Sequence, residues 1–196
     1  MFAFNYGKVG FLSTVDHDDL LEGVRRATTG DFDLVALPAL VVDLGGRSAV
    51  GVNDIAFQRG TARRVAHLAY SVEGEELGQV RCDGLVASTP AGSTGYNLAN
   101  GGPLLAWGVE GFVVSFIAPH TLTARTLVVA TEDVLEVTNL SDTDAVDMTA
   151  DGQIAAPLGP GESMQLRFQH DCAQLAQLPG ASFYHRLRER FGRLAY

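Results

Sequence analysis

Apolar residues fall at helical spacing near the two ends of this chain and alternate with polar ones over most of the stretch between. Near the start, Leu20, Leu21, Val24 and Ala27 make a stripe one helix face wide. Asp16 stands where a cap belongs, Asp18 and Asp19 fall in the first turn, Arg25 and Arg26 in the last, and Gly30 follows, so charge placement and punctuation together predict a short helix. From there the period changes to two. Runs at 32–44, 48–57, 62–72, 77–88, 111–118, 126–130, 134–138, 146–149 and 163–168 predict strands, separated by clusters of Asp, Gly, Pro and Asn. Glu73-Gly74-Glu75-Glu76 reads as a hairpin turn. Phe183, Leu187, Phe191 and Leu194 then share one face of a closing helix, with Arg186, Arg188, Glu189 and Arg193 elsewhere on it. Many short strands with few helices predict a mainly β fold of packed antiparallel sheets, sandwich-like, with a short N-terminal helix and a C-terminal amphipathic helix. No fixed-period repeat, low-complexity tract or linker interrupts it, so 1–196 is expected to be a single domain.

Composition narrows the partners. A formal charge of −9, with no run of Lys or Arg, leaves no electrostatic footprint for nucleic acid or an anionic membrane, and a small-molecule partner fits better. No window approaches the roughly 18 uninterrupted apolar residues of a membrane span. Two cysteines, Cys82 and Cys172, are too few for a disulfide framework or a four-ligand zinc site; both are expected to be buried thiols in a reducing, cytoplasmic setting. The opening residues 1–8 lack the order of a signal peptide and read as a strand end entering a glycine turn, so the chain is expected to begin inside a fold.

Four places offer chemistry. Residues 83–103 run from a strand into a loop crowded with small hydroxyl residues and glycines, where a ligand can approach the backbone. The amides of Gly92 to Gly95 could donate to an anionic or carbonyl oxygen there, and Tyr96 offers a flat face to a base or ribose. The plainer reading is an ordinary strand-to-helix turn; the loop is neither a P-loop nor a Rossmann fingerprint. Asn53-Asp54 can hold two ribose hydroxyls or an adenine edge, or simply cap a strand. Asp83, two residues after Arg81, suits either a ligand contact or a surface ion pair. His120 suits a base or a structural hydrogen bond, and Asp151-Gly152-Gln153 a hairpin turn whose Gln153 could face a site. Among these residues no catalytic triad, metal cluster or carboxylate dyad stands out.

Taken together these segments resemble the NAD kinase family. The pieces are Asn5-Tyr-Gly-Lys-Val-Gly-Phe-Leu-Ser13, Asn53-Asp54 with Arg59-Gly60, Asp83-Gly-Leu-Val-Ala-Ser-Thr-Pro-Ala-Gly-Ser-Thr-Gly-Tyr-Asn97 with Gly101-Gly-Pro103, Pro119-His-Thr-Leu-Thr-Ala-Arg125, Asp151-Gly-Gln153 and Phe183-Tyr-His-Arg-Leu-Arg188. They stand in family order across nearly the whole chain, and the long loop is the specific element.

The resemblance implies the C-terminal, dinucleotide-binding domain of an enzyme that transfers a phosphoryl group from ATP or polyphosphate, with magnesium, to the 2′-hydroxyl of the NAD adenosine ribose, giving NADP. By position Asn53 and Asp54 resemble the pair holding that ribose. Thr94, Gly95, Tyr96, Asn97 and Ala99 resemble the loop around the adenosine, Arg81, Asp83 and Ala118 the residues reaching the nicotinamide half across a subunit contact, and Gln153 a further contact. A homo-oligomer in the cytoplasm is implied, with 1–13 the remnant of an interdomain junction and 182–194 a helix that packs on an N-terminal domain or a partner. Two positions depart from the family: Gly95 stands where Ala is common and Asp54 where Glu is common. The family's Gly-Gly-Asp-Gly, whose Asp is its base, occurs nowhere in these 196 residues, so no catalytic residue is assigned. A non-catalytic NAD-binding module and one half of a split kinase stand as alternatives; a lipid or sugar kinase of the same superfamily fits the loop less well.

Overall fold

A computed structural model describes residues 1–5, 10–60, 64–179 and 182–192. Its elements are β1 (Phe4–Asn5), β2 (Val15–Asp16), a 3₁₀ turn (His17–Asp19), α1 (Leu20–Thr29), β3 (Asp33–Asp43), β4 (Ser48–Gly51), β5 (Asp54–Arg59), β6 (Ala66–Val72), β7 (Glu75–Cys82) and β8 (Gly84–Ser88). After a 3₁₀ turn (Gly92–Thr94) come α2 (Tyr96–Ala99), β9 (Phe112–Ile117), β10 (Leu127–Val129), β11 (Leu135–Asn139), β12 (Val146–Ala150), β13 (Gln153–Leu158), β14 (Ser163–Gln177) and α3 (Phe183–Phe191). Contacts divide the chain into two compact units, Met1–Leu37 with Asp171–Tyr196, and Pro38–His170.

The larger unit is built on two six-stranded antiparallel sheets, in the orders β10-β9-β8-β5-β12-β13 and β4-β3-β14-β11-β6-β7. The fold is therefore the mainly β, sandwich-like arrangement that the period-two runs predict. Leu40, Ile55, Phe57, Leu68, Leu85, Phe112, Leu135, Met148, Leu158 and Leu166 come from both sheets and are fully buried in one core. Each such side chain contributes about 1.5–3 kcal/mol relative to exposure.

Two predicted runs are each two strands. The run 48–57 breaks at Val52-Asn53, and 77–88 breaks at Asp83; in both places the chain leaves one sheet for the other. The pattern hides these breaks because β5 and β8 are buried on both faces, so apolar residues continue through the crossing. Glycine makes room for it: a Cβ on Gly51 would strike the Asp54 carbonyl oxygen, and one on Gly84 the Phe57 carbonyl oxygen. Elsewhere β13 lies outside the predicted runs; its Pro157 sits in an edge strand, where a residue without an N–H is tolerated. Glu73 (φ 51°) and Gly74 (φ 80°) make the expected hairpin turn.

In the smaller unit α1 ends at Gly30 as expected, the residue being left-handed at φ 73°. Asp16 precedes the turn but makes no side-chain cap bond. The predicted stripe is corrected: Leu21 is 88% exposed and Val24 exposed, while Gly23 is buried, its Cα face against Val15 and Phe4. A helix that sits on its neighbours through a glycine turns Leu21 outward, and spacing alone cannot choose between adjacent faces.

The closing helix is capped by Ser182, which accepts from the His185 N–H. Phe183 is buried with its ring 5.3 Å from Phe11, Leu187 is half-buried and Phe191 is 42% exposed; Leu194, Arg193 and the 6–9 stretch of the first family segment lie outside the described residues. Arg186, read from sequence as off the buried face, is itself buried. Its guanidinium donates to the carbonyls of Phe11 and Ser13 and to Gln177 Oε1, so the charge is spread over carbonyl dipoles while burial lowers its pKa. Of the two cysteines, Cys82 is buried, its thiol pushed up to about 12 by that burial, whereas Cys172 is exposed, against expectation. Among the described residues no helix is long and apolar enough to cross a membrane.

Candidate dinucleotide site

The two sheet crossings and the glycine-rich loop meet in the larger unit. Thr89 opens the loop by locking onto the first crossing: its N–H donates to the Asn53 carbonyl at 2.9 Å and its hydroxyl to the Val52 carbonyl at 2.6 Å. Gly92 then passes so close to Asn53 that a Cβ would collide with the Asn53 carbonyl oxygen. Ser93 is fully buried, its hydroxyl bonded to Pro90 and Leu105 backbone groups.

This packing changes the picture of the loop amides. The Gly92 N–H donates to the Thr89 hydroxyl, the Ser93 N–H to the Thr89 carbonyl and the Gly95 N–H to the Gly92 carbonyl. Three of the four amides proposed as anion donors are thus consumed by the turn itself, which satisfies the groups a helix start leaves open. Asn97 is likewise fully buried; its amide donates to the Ser93 and Pro103 carbonyls, and it holds the loop closed against Gly102. Thr94 is half-buried with its hydroxyl on the Ala91 carbonyl, and Gly95 and Ala99 are exposed.

Tyr96 is half-buried and lines a cleft of about 320 Å³ with Gln58, Arg59, Asp83 and Ile117. Burial raises its pKa, and the charges of Asp54 and Asp83 raise it further, so the phenol stays protonated and available as a donor. Asp83 pairs with Arg59, whose Nε donates at 2.6 Å, and not with Arg81; that bond holds its carboxyl below the usual range. Arg81 is exposed two residues before the break at Asp83, and its carbonyl accepts from the His120 N–H at 2.8 Å. The Asp83 N–H donates to Ile117 at 2.9 Å, and the next residue, Ala118, is exposed at φ 43°. The structure therefore brings Asp83 and Tyr96 together at the cleft, leaves Ala118 as the exposed residue after its lining Ile117, and sets Asn53 and Asp54 against the loop's start.

Asp151, expected only as half of a hairpin turn, does more than turn the chain. The Asp151-Gly152 turn joins β12 to β13 as a hairpin, but its carboxylate reaches across to accept from the N–H groups of Val52, Asn53 and Asp54. Gln153 follows it, exposed at the start of the edge strand. The sole signal in the sequence was an Asp where Asn would serve the same turn.

Asp54 is 8% exposed, and burial together with the neighbouring Asp151 charge pushes its carboxyl up to about 6 from an ordinary 3.8. The sign follows from proton counting. Between those values the folded state holds more protons than the unfolded one, so stability falls as pH rises through the window and stays lower above it. Asp54→Asn should therefore stabilise the unliganded protein near neutral pH by on the order of 2 kcal/mol, a few degrees in thermal midpoint, and by nothing near pH 4. Thermal melts of both proteins at the two pH values check this; an equal gain at both would show that charge is not the cause.

A family model described as the ATP-NAD kinase C-terminal domain matches residues 52–178. The NAD kinase of Gemmatimonas aurantiaca is 35% identical over 198 residues, an alignment covering 96% of this chain and 67% of that protein. Among solved structures, yeast NADH kinase complexed with NADH superposes with a TM-score of 0.84 at 21% identity, covering 100% of this chain and 62% of that one. An NAD kinase from Archaeoglobus fulgidus in complex with ATP gives 0.79 at 23% identity, covering 96% and 72%. This chain spans about two thirds of the length of the curated relatives it matches. A model matched over most of the chain and a relative 35% identical over nearly all of this chain's length agree: the chain belongs to the NAD kinase family and carries its C-terminal domain.

Proposed function

We propose that this chain is the dinucleotide-binding part of an NAD kinase, which phosphorylates the 2′-hydroxyl of the adenosine ribose of NAD with ATP or polyphosphate as donor and magnesium accompanying it. The observation that carries this reading is the locking of Asn53 and Asp54 against the loop that presents Tyr96. An amide and a carboxyl held side by side supply a donor and acceptors suited to vicinal hydroxyls, and an aromatic face beside them suits a purine. Thr94, Gly95 and Ala99 surround the adenosine with Tyr96, Asp83 with Arg81 and Ala118 reaches the nicotinamide half, and Gln153 is a further contact. Asn97 acts from beneath by holding the loop. Assembly as a homo-oligomer in the cytoplasm belongs to the same proposal.

Binding tests the site directly. Asn53→Ala removes amide contacts and should cost about 1–3 kcal/mol of NAD affinity, close to tenfold or more. Tyr96→Ala should also weaken binding while leaving the unliganded thermal midpoint nearly unchanged, since the ring lines a cleft and not the core. Calorimetric titration of both variants decides. Unchanged affinity in Asn53→Ala, or a fall in the Tyr96→Ala midpoint worth about 3 kcal/mol as for a core truncation, would count against the assignment.

A further inference from the structure

Asp151 spends both carboxylate oxygens on the segment that presents Asn53 and Asp54. Oδ2 accepts from the Val52 N–H at 3.0 Å, and Oδ1 accepts from the N–H groups of Asn53 at 2.7 Å and Asp54 at 3.1 Å. In return the Asp151 N–H donates to the Asp54 carbonyl at 3.0 Å. The residue does this from φ 47°, a left-handed conformation that persists only where surrounding contacts over-determine it. The turn by itself would accept Asn before Gly152 equally well. What Asn could not do is receive donors on both terminal atoms, because one of them would be an NH₂ facing another N–H. The requirement for a carboxylate therefore comes from the 52–54 segment, not from the hairpin.

We propose that Asp151 is a positioning residue of the dinucleotide site, presenting the Asn53 amide and the Asp54 carboxyl to the adenosine ribose by tying down the backbone N–H groups of Val52, Asn53 and Asp54. This rests on the proposed function, in which those two side chains hold the ribose. The same carboxylate acts on Asp54 through its charge. Among the described residues, the titratable groups bearing on Asp54 are Asp151 from the β12–β13 turn and Tyr96 from α2; burial first, and the Asp151 charge after it, push the Asp54 carboxyl up to about 6. Ionised Asp54 is the form that accepts from two hydroxyls, so NAD affinity falls on the acid side of that value.

The test is NAD titration of the 196-residue chain and its variants by calorimetry, from about pH 5 to about pH 8, with thermal melts as folding controls. Asp151→Asn and Asp151→Gly both tolerate the left-handed turn. Each should bind NAD about tenfold more weakly near neutral pH, the glycine variant the weaker of the two. In both, the acid-side fall in affinity should move to lower pH, because Asp54 loses its charged neighbour; a purely structural role would lower affinity without moving that limb. Asn53→Ala is measured beside them. If it weakens binding while the Asp151 variants fold, bind normally and keep the acid limb in place, the positioning proposal is overturned and the site stands. If Asn53→Ala and the Asp151 variants all bind NAD as the parent does, the site reading itself has failed.

Discussion

Given ATP, magnesium and NAD, the purified 196-residue chain is expected to form no NADP above background. Phosphoryl transfer depends on aligning donor and acceptor and on stabilising charge at the phosphates, with a carboxylate orienting the attacking hydroxyl. On the proposed reading the acceptor is held by Asn53 and Asp54, which are locked at a sheet crossing, and by the cleft that Tyr96 and Asp83 line. The Gly92, Ser93 and Gly95 amides of the loop are bonded within the turn and are not open to a phosphate. Loss of a general base typically costs about 10² to 10⁴ in rate, and loss of alignment costs more. Adding a separately expressed Gly-Gly-Asp-Gly domain of the same family should restore turnover if the two associate. Robust NADP formation by the chain alone, once a contaminating host kinase is excluded, would instead make Asp54 or Asp83 the base. Asp54 is the better placed of the two, since a carboxyl pushed up to about 6 is closer to the working pH of a base than one held down by Arg59.

Replacing Gly92 by alanine is expected to be the most damaging single methyl addition in the site. Its Cβ would fall well inside 3.0 Å of the Asn53 carbonyl oxygen, a backbone atom that cannot swing away. Relief requires the loop and the 52–54 segment to separate, which breaks the Thr89 bonds to Val52 and Asn53 and loosens the buried Ser93. Overpacking of this kind costs about 3 kcal/mol or more, and each lost buried hydrogen bond adds roughly 1 kcal/mol. NAD binding should be lost even where the protein stays folded, because Asn53 and Tyr96 are held by the two segments forced apart. Gly95→Ala is the control for stability alone, since its nearest neighbour is 3.3 Å away and a small adjustment accommodates it. Denaturant unfolding of both variants and NAD titration of Gly92→Ala check the expectation; equal stability of both variants would contradict it.

The amino-acid sequence by itself determined the class of fold, most of the strands, the hairpin at Glu73-Gly74 and the family, because these rest on local alternation, turn chemistry and a loop motif of unusual composition. It also singled out Asn53, Asp54, Asp83 and Tyr96 as candidates for the site. What the tertiary structure decided is everything that depends on which backbone lies beside which. The breaks at Val52-Asn53 and Asp83 were masked because strands buried on both faces keep an apolar pattern through a change of sheet. Asp83 found Arg59 instead of Arg81 because β5 and β8 are neighbours, whereas proximity in sequence had suggested the other arginine. Asn97 turned inward, Leu21 outward and Arg186 into a nest of carbonyls for the same reason: residue type sets what a side chain can bond, and packing sets what it meets. Asp151 shows the limit most plainly. In sequence it is half of a turn; only when β12 is laid against β5 do its oxygens reach the N–H groups of Val52, Asn53 and Asp54.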